Sequence, residues 1–201
     1  MKTTLKILAA ALGLAVLANA PAEAQGRWFY AFGYQSSIPL SNTQDFTDNL
    51  SWRGVNFEAR KSIKPGMTAG LSLGWHVFDE ETDEVVSFEN LDISGDQLRY
   101  INSFPVLVNV HKYFGQEGGI RPFVGLNAGG YIMEHRLEIR LVALAETNFH
   151  FGFAPELGFV FPLEGNSAVF LSGRYNYAFS AGNVDDQSYV GISAGYAWSN
   201  W

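Results

Sequence analysis

At 201 residues the chain is long enough for one domain, and its composition gives no sign of a second. It carries 15% aromatic but only 16% charged residues, with 21 glycines. A typical soluble domain is about a quarter charged, so this surface must be unusually apolar somewhere. There is no cysteine, which excludes disulfides and a cysteine-borne lipid anchor. Beyond the N-terminus no segment offers the roughly 18 unbroken apolar residues of a membrane-crossing helix.

The first residues have the three parts of a secretory signal. Lys2 and Lys6 precede the apolar run "ILAAALGLAVLA" (7–18), and "PAEA" places Ala22 and Ala24 before Gln25. Residues 1–24 are therefore read as a cleaved export signal, because the apolar core is short for an anchor that stays attached. Cleavage leaves 11 Lys and Arg against 19 Asp and Glu, a charge of −8. That balance argues against nucleic acid as a partner.

From Gln25 the sequence is a series of period-two runs, the mark of strands with one apolar face. "RWFYAFGYQ" (27–35) puts Trp28, Tyr30, Phe32 and Tyr34 on one side. "WRGVNFEAR" (52–60) sets Val55, Phe57 and Ala59 against Gly54, Asn56, Glu58 and Arg60. "TAGLSLGWHVF" (68–78) sets Ala69, Leu71, Leu73, Trp75 and Val77 against Gly70, Ser72, Gly74 and His76. "LRYINSFPVLVNVHKYF" (98–114) opposes Val106, Val108 and Val110 to Asn109 and His111, and Pro105 inside it predicts a bulge.

"RPFVGLNAGGYIM" (121–133) sets Val124, Leu126, Ala128 and Ile132 against Gly125, Asn127 and Gly129. "NFHFGFAPELGFVF" (148–161) carries six bulky residues on one side, with His150, Gly152, Ala154, Glu156 and Gly158 on the other. "AVFLSGRYNYAF" (168–179) opposes Val169, Leu171, Tyr175 and Tyr177 to Ser172, Arg174 and Asn176. "SYVGISAGYAW" (188–198) ends the set, large on one face and tiny on the other. None of the eight has a helical period.

Tight turns, "SIKPGM", "GQEGGI" and "PLEGNS", alternate with longer polar segments. That alternation predicts an all-β, eight-stranded antiparallel up-and-down barrel over residues 25–201. Each run is close to the roughly 9–11 residues with which a tilted strand crosses a bilayer. The interior of eight strands is just wide enough for side chains to fill it. Five Trp and 16 Phe would overfill that space, whereas the Gly, Ala and Ser face fits. The aromatic face therefore turns outward to lipid, making a transmembrane barrel whose strands close because no edge can stay unpaired in hydrocarbon. Trp28, Tyr34, Trp75, Tyr175 and Tyr177 suit its interfacial girdles.

The stretch "RPFVGLNAGG" and the last strand resemble the small outer-membrane β-barrels of Gram-negative bacteria, the OmpA-like and OmpX-like group, over essentially the whole chain after the signal. The resemblance implies the outer membrane as the location, its lipids and lipopolysaccharide as surroundings, and the barrel assembly machinery as a partner. It further implies a monomer with no cofactor, acting structurally or through its exposed loops. A narrow porin-like or OmpW-like channel for small or hydrophobic solutes is the alternative. "VGISAGYAW" is similar to the family's C-terminal assembly signal, with Tyr196 and Trp198 as its aromatics. "SNW" departs from the pattern: either it overhangs, or Trp201 is the terminal aromatic. The second option would turn Ser199, Ala197 and Gly195 outward, so the overhang is preferred.

Inside the barrel, Glu156 and Arg174 should face each other across the "PLEGNS" hairpin, with Glu58 and Arg60 as a second pair. Unpaired charges in a narrow dry lumen are costly, so these four should pair among themselves or with Asn109, His111 and Asn127, with Asn176 on the same face. Gating by the same residues is the alternative to a fixed plug. Catalysis is not expected. A lipid A deacylase-type barrel needs a Ser–His pair on a late strand facing lipid, and "RYNYAFS" has no histidine. His76, His111 and His150 point inward by parity, and His135 falls in a loop. The acidic segment 79–96 offers Asp79, Glu80, Glu81, Asp83 and Glu84 as a weak divalent-cation candidate without EF-hand spacing. Its inner part, "VVSFENLDIS", alternates and would extend a hairpin beyond the membrane.

Overall fold

The computed structural model describes residues 27–82, 85–88, 91–94, 97–116, 118–139, 142–182 and 184–200. The expected signal at 1–24, Asp83, Glu84 and Trp201 lie outside them. The strands are β1 (Trp28–Leu40), β2 (Arg53–Lys64), β3 (Met67–Thr82), β4 (Val85–Phe88), β5 (Leu91–Ser94), β6 (Gln97–Tyr113), β7 (Arg121–Ile139), β8 (Val142–Pro162), β9 (Ser167–Ala178) and β10 (Gln187–Asn200). One helix, α1 (Ser41–Phe46), follows β1. Eight of the strands close a barrel in the order β1-β10-β9-β8-β7-β6-β3-β2, and β2 returns to β1. Every neighbouring pair is antiparallel.

The alternation has the orientation its residue sizes demand. Phe32, Leu71, Val106, Leu126, Phe149, Leu171 and Ile192 stand exposed on the outer wall, while Gln35, His76, His111, Asn127, His150 and Asn176 are buried inside. A continuous apolar belt of this kind far exceeds the few hundred Å² of an ordinary soluble surface. No helix among the described residues is long and apolar enough to cross a membrane, so any crossing is by strands. The tight turns rest on glycines in the left-handed region, Gly66 at φ 68° and Gly165 at φ 72°.

Three local expectations change. Pro105 makes no bulge: Leu73 pairs with Val106 and His76 with Ser103 in one unbroken register. A proline only withholds its N–H, leaving a gap in the ladder. The register shifts instead between Ser62 and Lys64, where β2 enters its turn. The connection between the fifth and sixth runs is no loop either. The β7–β8 ladder continues to Ile139 opposite Val142, which places His135 on a strand. Polar side chains do not interrupt a ladder whose backbone groups remain paired. The 79–96 hairpin does extend, with β4–β5 holding the register of β3–β6.

The third change is α1. Six residues are too few to display a helical period, so it left no trace in the sequence pattern. It lies across the long-loop end, tied to β10. Thr43 Oγ1 donates to Gln187 Oε1 at 2.9 Å and accepts from the Ser188 N–H at 3.0 Å, and Asn42 Nδ2 donates to the Asp186 carbonyl at 2.9 Å. At the chain end Ser199 and Asn200 pair with Phe29 and Trp28, so the closing strand runs on past Trp198.

Candidate functional site: a charge-balanced lumen

Four charged side chains meet in the middle of the barrel because their positions share the inward parity of β2, β8 and β9. Glu156 and Arg174 are direct cross-strand partners. Arg174 Nε and Nη2 both donate to Glu156 Oε2, at 3.1 and 2.7 Å. The same guanidinium reaches across the lumen, where Nη2 also donates to Glu58 Oε1 and Nη1 donates to Ser72 Oγ at 3.2 Å. Glu58 Oε2 lies 3.2 Å from Arg60 Nη1, and Arg60 donates to His111 Nδ1. His111 Nε2, which then carries the proton, lies 3.5 Å from Glu156 Oε2. The two pairs read from sequence are one ring of two carboxylates and two guanidiniums, all four residues no more than 6% exposed.

Asn127 joins the ring through Nδ2, which donates to Glu156 Oε2 at 3.2 Å and to the Ala154 carbonyl at 2.9 Å. Asn109 does not join it: neither side-chain atom has a hydrogen-bond partner among the described residues. Asn176 sits one step farther along, accepting from the Tyr131 hydroxyl at 3.1 Å.

Beyond the ring, toward the long-loop end, lies a neutral network. Asn56 Nδ2 donates to Gln35 Oε1 at 2.7 Å, and Ser193 Oγ donates to the same oxygen at 3.0 Å. Asn56 Oδ1 accepts from His76 Nε2 at 2.9 Å, which leaves His76 Nδ1 to accept from the Tyr189 hydroxyl at 2.9 Å. Gln35, Asn56, His76, Tyr189 and Ser193 share no motif in the sequence. Inward parity on four different strands was the one signal that could have gathered them.

Apolar layers flank the polar ones on both sides. On the short-turn side Tyr113, Phe123, Val160, Ala168 and Ala197 form a floor with Phe29 and Phe170. The Arg60 guanidinium lies 4.4 Å over the Phe29 ring, so the charged layer is stacked on the floor. On the long-loop side Phe78, Ile101, Leu107, Tyr131, Met133 and Tyr189 form a roof, with Phe46 of α1 packed against it. Between Glu58, Glu156, Ser172 and Arg174 the cavity is about 10 Å³, the space of about one water.

No family model matches the sequence, and no curated protein is significantly similar to it. Solved structures do match. Neisserial surface protein A is 12% identical with a TM-score of 0.56, covering 87% of this chain and 99% of that one. The outer membrane protein OprG of Pseudomonas aeruginosa is 12% identical with a TM-score of 0.53, covering 87% and 96%. Ail of Yersinia pestis, the attachment invasion locus protein, is 15% identical with a TM-score of 0.52, covering 86% and 99%. The fold is that of the small outer-membrane β-barrels.

The outer wall of this outer-membrane barrel fold carries the aromatics named from sequence. Trp28, Tyr34, Trp75 and Tyr175 are between 38% and 50% exposed, and Tyr177 is half-buried against Phe153 and Phe179. Trp28, Tyr30, Trp198 and Tyr196 form a row of stacked rings across the β1–β10 seam, with centroids 5.8–6.1 Å apart. The two aromatics of the expected assembly signal thus sit on the seam that closes the barrel. Of the acidic candidates, Asp79 and Glu80 lie apart. Strand parity puts Asp79 and Glu80 on opposite faces of β3. Asp79 lies 3.5 Å from Arg53, and Glu80 Oε2 accepts the Asp48 N–H at 2.7 Å.

Proposed function

We propose that this protein is an integral outer-membrane barrel with a sealed lumen, working through its long-loop end in surface contact. The observation that carries this reading is the stack of floor, charge ring, neutral network and roof, which leaves about 10 Å³ at the level of the ring. In barrels of this kind the short turns face the periplasm and the long loops face outward. Residues 41–52, 79–96, 134–147 and 179–186 are then the cell-surface elements. Segment 79–96 alone holds eight carboxylates, so the partner it suits is cationic, or is a lipopolysaccharide phosphate bridged by a divalent ion. Ail was crystallised with sucrose octasulfate, a heparin analogue and a polyanion. A loop end rich in carboxylates does not suit a polyanion, which argues for a different partner here.

The channel alternative has less support, because passage requires breaking a ring in which each charge is neutralised by its neighbours. Catalysis is not part of the proposal. His76 is held by Asn56 and Tyr189, His111 by Arg60, and His150 Nδ1 by the Phe179 carbonyl at 2.9 Å.

The test is adsorption of folded barrel in phosphatidylcholine nanodiscs to polylysine and to heparin surfaces. Retention on polylysine that weakens with salt and falls in a D79N/E80Q/E81Q variant supports the reading. Retention on heparin instead would contradict it.

A further inference from the structure

The ends of the barrel differ in charge as well as in length. Arg27, Lys61, Lys64, Lys112 and Arg121 all lie at the short-turn end, where the sequence offers Glu117 and Glu164 as the only acids. This is a local positive pole on a chain with a net charge of −8 after cleavage. At the same end a cavity of about 1210 Å³ opens beneath the floor, with Phe29, Tyr113, Met67 and Val160 among its apolar lining and Arg27, Lys64, Arg121 and Glu164 among its charged lining. That is larger than the ~300–1,000 Å³ of an ordinary small-molecule pocket, and it has the usual make-up of one, apolar walls with a few charged groups.

Arg121 is held ready. Its guanidinium lies 5.0 Å over the Tyr113 ring, which fixes its plane. Its Nε–H is buried and has no hydrogen-bond partner among the described residues. At Gly66, in the turn between β2 and β3, a side-chain Cβ would lie 3.6 Å from Lys112 Nζ and 3.9 Å from an Arg121 terminal nitrogen. The Tyr113 carbonyl oxygen lies nearer that spot, at 3.1 Å, and Lys112 is not part of the cavity lining, so the cations that line the cavity are Arg27, Lys64 and Arg121. The floor, meanwhile, offers apolar surface that a bare anion would leave uncovered.

We propose that the short-turn mouth is a binding site for an anionic single-chain amphiphile, a fatty-acid carboxylate or a lysophospholipid phosphate. Its chain lies on the Phe29–Tyr113 floor and its head group sits at Arg121, on a lining that Lys64 shares. This site is independent of what the long loops contact. It also needs no passage through the lumen, because the floor stays closed above it.

Native mass spectrometry of the folded protein released from phosphatidylcholine nanodiscs tests the assignment, with laurate, lysophosphatidylglycerol, lysophosphatidylcholine and inorganic phosphate as probes. Wild type retains one laurate or one lysophosphatidylglycerol per barrel, about tenfold more than lysophosphatidylcholine, the scale of one charge-assisted hydrogen bond. Retention of laurate alone identifies a carboxylate ligand, and of lysophosphatidylglycerol alone a phosphate ligand; either supports the proposal. R121Q lowers retention about tenfold and R121K restores part of it. K64E, on an exposed turn, gives the same loss if R121Q fails to fold, folding being checked by heat-shifted gel migration. Retention of the zwitterionic lysolipid equal to that of the retained anionic amphiphile overturns the proposal. So does phosphate alone binding as tightly as the amphiphiles, or unchanged retention in folded R121Q and K64E.

Discussion

Arg174 on β9 and Glu156 on β8 are direct partners across the ladder, and the guanidinium continues past Glu156 to Glu58 on the far wall. One side chain therefore ties β9 to both β8 and β2. The charges balance only while all four members of the ring are present.

Removing Arg174 leaves two buried carboxylates facing Arg60 alone. R174A should destabilise the barrel by about 3–5 kcal/mol, the usual effect of breaking a buried pair on one side. Urea unfolding followed by gel migration measures it, and an unchanged midpoint would refute the role assigned to the ring.

Glycine fills the inward face of β10 for a packing reason. A Cβ on Gly191 would lie 2.4–2.7 Å from the Gln35 amide group, whereas one on outward Gly173 would meet nothing within 4 Å. G191V should therefore cost about 1–3 kcal/mol, and G173A should be close to neutral. Comparable midpoints for the two variants in the same urea titration would contradict the packing argument.

The seam aromatics bear on assembly. W198A removes the ring stacked on Tyr30, an interaction worth roughly 0.5–1.5 kcal/mol beyond its area, and should slow refolding into lipid vesicles. Deleting Trp201 should leave the rate near wild type, as expected if Trp198 is the terminal aromatic of the signal. A reversed order of the two rates would assign that role to Trp201.

How much of this was legible in the sequence depends on the residue. Strand number, orientation and the Glu156–Arg174 pairing follow from period two and residue size, because a one-residue slip would turn a whole face the wrong way. The single ring was not legible. Whether Arg174 also meets Glu58 depends on barrel closure and shear, which bring β9 and β2 face to face across the lumen and which no local pattern encodes. Asn109 shows the converse, having the right parity and no partner among the described residues. The upper halves of β7 and β8 were legible in period but not in length, because Leu137 and Ile139 alternate with Arg136 and Glu138 beyond the span that a bilayer requires. Pro105 misled for a related reason: a proline withholds a donor, but the ladder absorbed the gap without shifting.

Phe46 seals the roof from α1, yet the ring and the floor lie below it. F46A should therefore lower stability by about 3–5 kcal/mol at most and open no pathway. Steady current through F46A in a planar bilayer would show that the roof, and not the ring, holds the lumen shut.

The most direct test of the account is the conductance of the wild-type barrel itself. Folded protein, verified by its heat-shifted migration, is inserted into planar bilayers at neutral pH and scanned over voltage. A sealed, charge-balanced lumen predicts a silent membrane; discrete, reproducible single-channel steps would contradict it.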